Sequence, residues 1–138
     1  MADADAEADI DAVVARFFRA FDNRGGRRPR MDDIACCFAE GAVVVRHALG
    51  RTEMLTVPAF AAPRIDLLSS GDLVEFHEWE VESSTRVFGG IASRTSRYGK
   101  RGLLQGSTYS GSGTKLFHLA CSDSTWLITS LAWMDDPA

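Results

Sequence analysis

The sequence predicts an α+β fold in which N-terminal helices pack against a strongly curved, mostly antiparallel sheet. Helical periodicity is confined to the first half of the chain, whereas strand-like stretches dominate from Asp72 onward. Helices and strands do not alternate as they do in βαβ units, so a parallel α/β sheet is not expected. The pair Gly89-Gly90 interrupts an extended stretch and predicts a bulge or sharp bend, as strong curvature requires.

The first helix is predicted over residues 10–21, where Gly25-Gly26 follows as a stop signal. Residues 1–9 are interpreted as an acidic N-terminal tail and residues 10–136 as one domain, because 138 residues suit a single domain. The apolar residues recur at i, i+3, i+4, i+7, i+8 and i+11, namely at Ile10, Val13, Val14, Phe17, Phe18 and Phe21.

Two further helices and a set of strands follow. The helices are predicted at 31–39 and 56–71, and Pro63 is expected to kink or divide the second of them. Residues 99–113 are rich in glycine and serine and are interpreted as a long hairpin connection. Strands are predicted by β-branched or alternating patterns at 42–49, 73–83, 86–98, 113–121 and 124–134.

The charge distribution argues against a nucleic-acid partner. Residues 1–11 hold five carboxylates and no base, and the rest of the chain has 14 acids against 15 bases. Such a body has no dominant basic face. No apolar run approaches the ~20 residues that a membrane helix needs, so no membrane partner is expected. The acidic N-terminus does not resemble a secretory signal, and a cytoplasmic location is the expectation.

Neither a metal nor a cofactor is expected. The chain has three cysteines, Cys36, Cys37 and Cys121. An odd number without a CxxC pair argues against a disulfide framework or a thiolate zinc site. The histidines stand at positions 47, 77 and 118, a spacing that predicts no metal site.

The C-terminal half resembles the nuclear transport factor 2-like superfamily, in particular its SnoaL-like and ketosteroid-isomerase-like members. The segments GGIASRTSRYGKRG, GSGTKLFHL and TWLITSLAWMDD are similar to the closing strands of that family. His118 departs from the pattern, since many relatives carry glutamine there. The matching positions are Ser96, Tyr98, Gly113, Phe117, Leu119, Trp126, Ile128, Leu131, Trp133 and Asp135.

The resemblance implies a cone-shaped α+β barrel with an apolar pocket between the first helix and the sheet. It also implies that an enzyme of this kind places a carboxylate or histidine in the pocket, where burial raises a carboxylate pKa toward useful base strength. The candidate catalytic groups are therefore Glu75, His77, His118 and Tyr98. The candidate ligand-binding residues are Phe17, Phe21, His118, Tyr98 and Trp133.

Each candidate has a structural alternative. Alternation places Leu73, Glu75, His77, Trp79 and Val81 on one face of a strand, which would carry Glu75 and His77 inward together. The alternative is a solvated pair at an edge or dimer face. His118 is either a ligand donor or a satisfied core histidine, and Tyr98 either donates to an oxyanion or packs across strands.

Three functions remain open from the sequence. The first is a non-catalytic protein that binds a small apolar or aromatic molecule and forms a homodimer through its sheet. The second is an isomerase, dehydratase or cyclase that acts on an apolar carbonyl compound without a cofactor. The third is a protein-interaction adaptor that uses an exposed apolar sheet face.

Overall fold

The structure is a computed structural model that describes the backbone of residues 3–138 and the side chains of residues 4–138. Three α-helices, α1 to α3, span Asp3–Arg19, Met31–Ala35 and Val57–Ser69, and one 3-10 turn spans Arg24–Gly26. Six strands, β1 to β6, span Phe38–Ala48, Arg51–Thr56, Leu73–Phe88, Ile91–Leu104, Ser107–Ser122 and Thr125–Asp135. None of the described helices is long and apolar enough to cross a bilayer.

The predicted α+β class is confirmed. The strands form one curved sheet in the order β2-β1-β6-β5-β4-β3, with α1 packed against it. Every neighbouring pair is antiparallel except β1 and β6, which are parallel. Strands β2 and β3 are free edges, so the cone is an open sheet and not a closed barrel. Strand β2 was not predicted from the sequence.

Helix α1 packs its apolar stripe into the concave side of the sheet. The stripe residues predicted from the 3.6-residue period are all buried. The helix begins at Asp3, so residues 3–9, interpreted above as a tail, are helical. Alanine has the highest helix propensity, and carboxylates near a helix N-terminus are stabilised by the helix dipole, which together explain the early start.

A bulge in β3 reverses the predicted assignment of its faces. The register passes from Val74↔Leu103 to His77↔Arg101, which leaves one extra residue on β3, and Glu75 takes a positive φ of 49°. The expectation that Glu75 and His77 point inward together is therefore wrong. The residues of β3 that face the helices after the bulge are Phe76, Glu78 and Glu80.

The side chain of Asn23 holds this bulge in place. It is buried, and its Nδ2 donates to the carbonyls of Leu68 and Leu73 at 2.9 and 2.7 Å. Its Oδ1 accepts from the backbone N–H of Phe76 at 2.8 Å. Outside the sheet, Glu75 accepts from the backbone N–H of Gly25 at 2.8 Å. The bulge is thus bound to the segment that follows α1.

The glycines of the last four strands have roles that differ from those predicted. Gly89-Gly90 forms the turn between β3 and β4, so of the two predicted alternatives the sharp bend is present and the bulge is not. Residues 99–113 belong to β4 and β5 and to the turn between them, not to a long connection. A Cβ at Gly99 would meet the Trp79 ring, and one at Gly113 would overlap the Tyr98 hydroxyl. These glycines keep space for large neighbours within the sheet.

Candidate functional site

A cavity of about 300 Å³ lies between α1, α3 and the concave face of the sheet. An engineered apolar cavity of about 150 Å³ accepts benzene, so this volume suits one substituted ring or a small bicycle. The wall is aromatic, and Phe60 and Trp133 face each other edge to face at 5.3 Å between ring centroids. The aromatic lining residues are Phe17, Phe21, Phe60, Phe76, Tyr109 and Trp133.

Arg64 projects from α3 into this aromatic wall. Its guanidinium carbon lies 4.5 Å from the Phe60 ring centroid and 4.8 Å from that of Trp133. Its Nη1 donates to the carbonyl oxygen of Phe60 at 3.0 Å. Burial, followed by the nearby positive charge of Arg46, lowers the pKa of Arg64 from its ordinary value. The cavity therefore contains a guanidinium whose surroundings disfavour its charge.

Lys115 and Glu78 form a buried ion pair that also lines the cavity. Lys115 lies on β5, and its Nζ is 3.3 Å from Glu78 Oε1, close enough for an ion pair but without hydrogen-bond alignment. The ammonium also sits 3.9 Å from the centroid of the Tyr98 ring. Burial lowers the pKa of Lys115, and the charge of Glu78 offsets part of that effect.

Tyr98 is bound to Asp135 and does not line the cavity. Its hydroxyl donates to Asp135 Oδ1, while Lys100 Nζ lies 2.9 Å from Asp135 Oδ2. Burial, together with the neighbouring carboxylate, raises the pKa of Tyr98. Burial alone would raise the pKa of Asp135, but the Tyr98 and Lys100 hydrogen bonds outweigh it and lower that pKa. Asp135 thus organises one end of the site.

The remaining catalytic candidates lie outside the cavity. Glu75 is exposed beside Gly25, and His77 stacks on Trp79 at 4.7 Å between ring centroids, away from the cavity lining. His118 is exposed on the convex face, with Nδ1 3.3 Å from Ser130 Oγ. The structure does not bring the four candidate groups together.

Three of the five predicted ligand-binding residues, Phe17, Phe21 and Trp133, line the cavity, whereas His118 and Tyr98 do not. Arg64 and Lys115 were not predicted from the sequence, whose candidate catalytic groups are an acid, two histidines and a tyrosine. Lys115 had a signal, since it alternates with Phe117 and Leu119 on an otherwise apolar strand face. Arg64 had none, because its position depends on how α3 packs against the sheet.

A second, more open groove of about 620 Å³ lies between α1 and β3. Its most buried charge is Arg94, which is 5% exposed. Arg94 donates to both oxygens of Glu80 at 3.0 and 2.6 Å, to Asp11, and to Thr85 at 3.1 Å. The guanidinium of Arg94 is thus neutralised by two carboxylates, and the residue links α1 to the sheet.

Comparisons with known proteins give similarity at the level of the fold. No protein-family model matches the sequence. No curated protein sequence matches it either. Among solved structures, a protein of unknown function from Mycobacterium tuberculosis superposes with a TM-score of 0.75 at 17% identity, over 96% of this chain and 73% of that chain.

Two other similar structures carry more descriptive names. A nuclear transport factor 2-like protein of unknown function from Silicibacter pomeroyi gives a TM-score of 0.69 at 18% identity, over 99% of this chain and all of that chain. The hexachlorocyclohexane dehydrochlorinase LinA-type3 from Novosphingobium barchaimii gives 0.75 at 12% identity, over 97% and 88%. With α1 and α3 packed against an open, curved six-stranded sheet and α2 packed against those helices, the described chain has the nuclear transport factor 2-like fold.

Proposed function

We propose that this protein binds a small aromatic molecule in the cavity between α1, α3 and the sheet. The observation that carries the proposal is the cavity itself, which remains open at about 300 Å³ although six aromatic side chains surround it. Ligand sites in proteins are typically concave, apolar and supplied with a few polar groups, and this volume lies at the lower end of their range. A one-ring or two-ring compound fits the space.

The test is calorimetric titration of the full chain with single-ring and two-ring aromatic compounds. Leu67 lines the cavity, so Leu67→Trp is expected to fill it and abolish binding. Met54→Trp is the matched control, because Met54 is exposed on edge strand β2. Absence of binding by every compound, or equal affinities of Leu67→Trp and the unmodified protein, would contradict the proposal.

A second candidate function is general acid–base catalysis on an apolar carbonyl compound. The Lys115–Glu78 pair favours it, because a buried lysine with a lowered pKa is a stronger candidate base at neutral pH than a solvated one. One of the similar structures is a dehydrochlorinase, so proteins of this fold include enzymes. In this hypothesis the neutral amine of Lys115, which the lowered pKa makes more accessible, takes a proton from the carbon beside the carbonyl and becomes the ammonium that pairs with Glu78.

Exchange of α-protons for solvent deuterium in an aromatic ketone such as phenylacetone, followed by NMR, tests the second candidate. The unmodified protein is expected to accelerate exchange, and Lys115→Met to remove the acceleration. Arg86→Met serves as the control, since Arg86 is exposed on β3 and is not among the residues that line the cavity. Exchange at the uncatalysed rate would leave binding as the only proposed function.

A further inference from the structure

The charged groups that line the cavity are not balanced. Three of its four cationic side chains have a carboxylate partner: Arg46 pairs with Glu53 at 3.2 Å, Lys100 with Asp135 at 2.9 Å, and Lys115 with Glu78 at 3.3 Å. Among the described side chains of residues 4–138, no carboxylate lies within ion-pair distance of Arg64. Among the described side chains, Arg64 is thus the cationic group of the cavity that has no direct carboxylate partner, and the charges of Glu78 and Asp135 act on it only from a greater distance.

The Arg64 guanidinium is also fixed in position and keeps N–H donors that could bind a ligand. The Phe60 and Trp133 rings lie near its guanidinium at 4.5 and 4.8 Å, which fixes the group in the cavity wall. An arginine has five N–H donors, and the only described hydrogen bond from this side chain is the one to the Phe60 carbonyl. The free donors suit a carboxylate, whose two oxygens match the guanidinium fork.

Arg94 shows how the same protein treats an arginine that only connects structural elements. There the guanidinium meets two carboxylates and a hydroxyl, which compensate its burial. Arg64 is half-buried against the Phe60 and Trp133 rings, and no described carboxylate forms an ion pair with it. The lowered pKa of Arg64, caused by burial and then by Arg46, agrees with a site in which an anion would relieve an unfavourable charge.

From this geometry we propose that the ligand is an aromatic carboxylate whose ring occupies the cavity and whose carboxylate pairs with Arg64. The inference rests on the proposed binding function and specifies its ligand class. The ring would pack between α1 and the Phe60–Trp133 pair, where apolar burial supplies affinity. Arg64 would supply selectivity, because a neutral analogue leaves the guanidinium uncompensated.

The test is calorimetric titration of the full chain with three matched pairs: benzoate and benzamide, phenylacetate and phenylacetamide, 3-phenylpropionate and 3-phenylpropanamide. A hydrogen bond to a charged group contributes about 1.5–3 kcal/mol, so the best carboxylate is expected to bind about 10–100-fold more tightly than its amide. Arg64→Met should abolish this preference while leaving the affinity for the amide within about twofold. Arg86→Met, at an exposed position on β3, should leave the preference intact.

The outcomes separate the inference from the function on which it rests. Equal binding of carboxylate and amide by the unmodified protein, or a preference that survives Arg64→Met, overturns the assignment of Arg64 and leaves the binding function standing. Failure of all six compounds to bind overturns the ligand class inferred here, and failure of the two-ring compounds as well overturns the binding function. If Arg64→Met does not fold, as judged by its melting temperature, Arg64→Gln provides the same comparison with a side chain that is polar but uncharged.

Discussion

Replacing Asn23 by alanine is expected to destabilise the protein by about 3 kcal/mol, because three buried hydrogen bonds are lost together. The side chain forms hydrogen bonds with the carbonyls of Leu68 and Leu73 and with the N–H of Phe76, at 2.7–2.9 Å. Asn23 is only 5% exposed. Each backbone group left without a partner costs about 1–3 kcal/mol, and water entering the space left by the side chain reduces the sum.

For a domain of this size, about 3 kcal/mol corresponds to a fall of about 10 °C in melting temperature. Urea unfolding followed by circular dichroism gives the free energy, and hydrogen exchange at the amide of Phe76 reports on the bulge directly. The neighbouring variant Asp22→Ala is the control. It removes an exposed ion pair with Arg24 and a hydrogen bond from the Arg24 backbone N–H, which together are expected to cost less than Asn23→Ala does.

The bulge determines which residues of β3 enter the site, so this measurement also concerns function. A loss of unfolding free energy below about 1 kcal/mol for Asn23→Ala, no larger than that of the control, would contradict a stabilising role of Asn23 at the bulge. It would mean that the sheet alone maintains the register and that Asn23 does not select the faces of β3.

Three further predictions concern other parts of the fold. The hydrogen bonds that Asp136 accepts, above all from the Arg97 side chain, lower the pKa of Asp136 to about 2. The stabilisation of the fold by this carboxylate is therefore present above about pH 4 and is lost as the pH falls toward 2. Asp136→Asn should therefore flatten the acid side of a urea-midpoint profile between pH 2 and 6. Gly113→Ala should destabilise by about 1–3 kcal/mol in urea unfolding, because its Cβ would overlap the Tyr98 hydroxyl. Leu116 is 49% exposed on the convex face, so if the protein is a homodimer through that face, Leu116→Glu should halve its mass in light scattering. An unchanged mass would argue against this interface, and a monomeric unmodified protein would argue against the dimer.

The sequence predicted those elements whose packing follows from local periodicity. The stripe on α1 was readable because every residue in it meets the same core, and β5 and β6 were readable because their apolar residues alternate. Helix α3 runs through Pro63 as one element, although the proline predicted a kink or division. Packing of Phe60, Ala61 and Leu68 against the core holds both halves together.

The site was less predictable because it depends on long-range relations. Alternation failed on β3 because the bulge at Glu75 is stabilised by Asn23, which is more than fifty residues away from Glu75 and Phe76. Gly99 looked like part of a loop because its neighbour Trp79, on an adjacent strand, is not visible in local sequence. The role of Arg64 depends on Trp133, which only the packing of α3 over the sheet brings near.

A crystal structure of the protein grown with phenylacetate is the most direct test of aromatic carboxylate binding at Arg64. We expect density for the ring inside the aromatic cavity, in contact with Phe17 and Trp133, with the carboxylate within hydrogen-bond distance of Arg64. A cavity closed by rearranged side chains, or phenylacetate bound only elsewhere on the molecule, would contradict it.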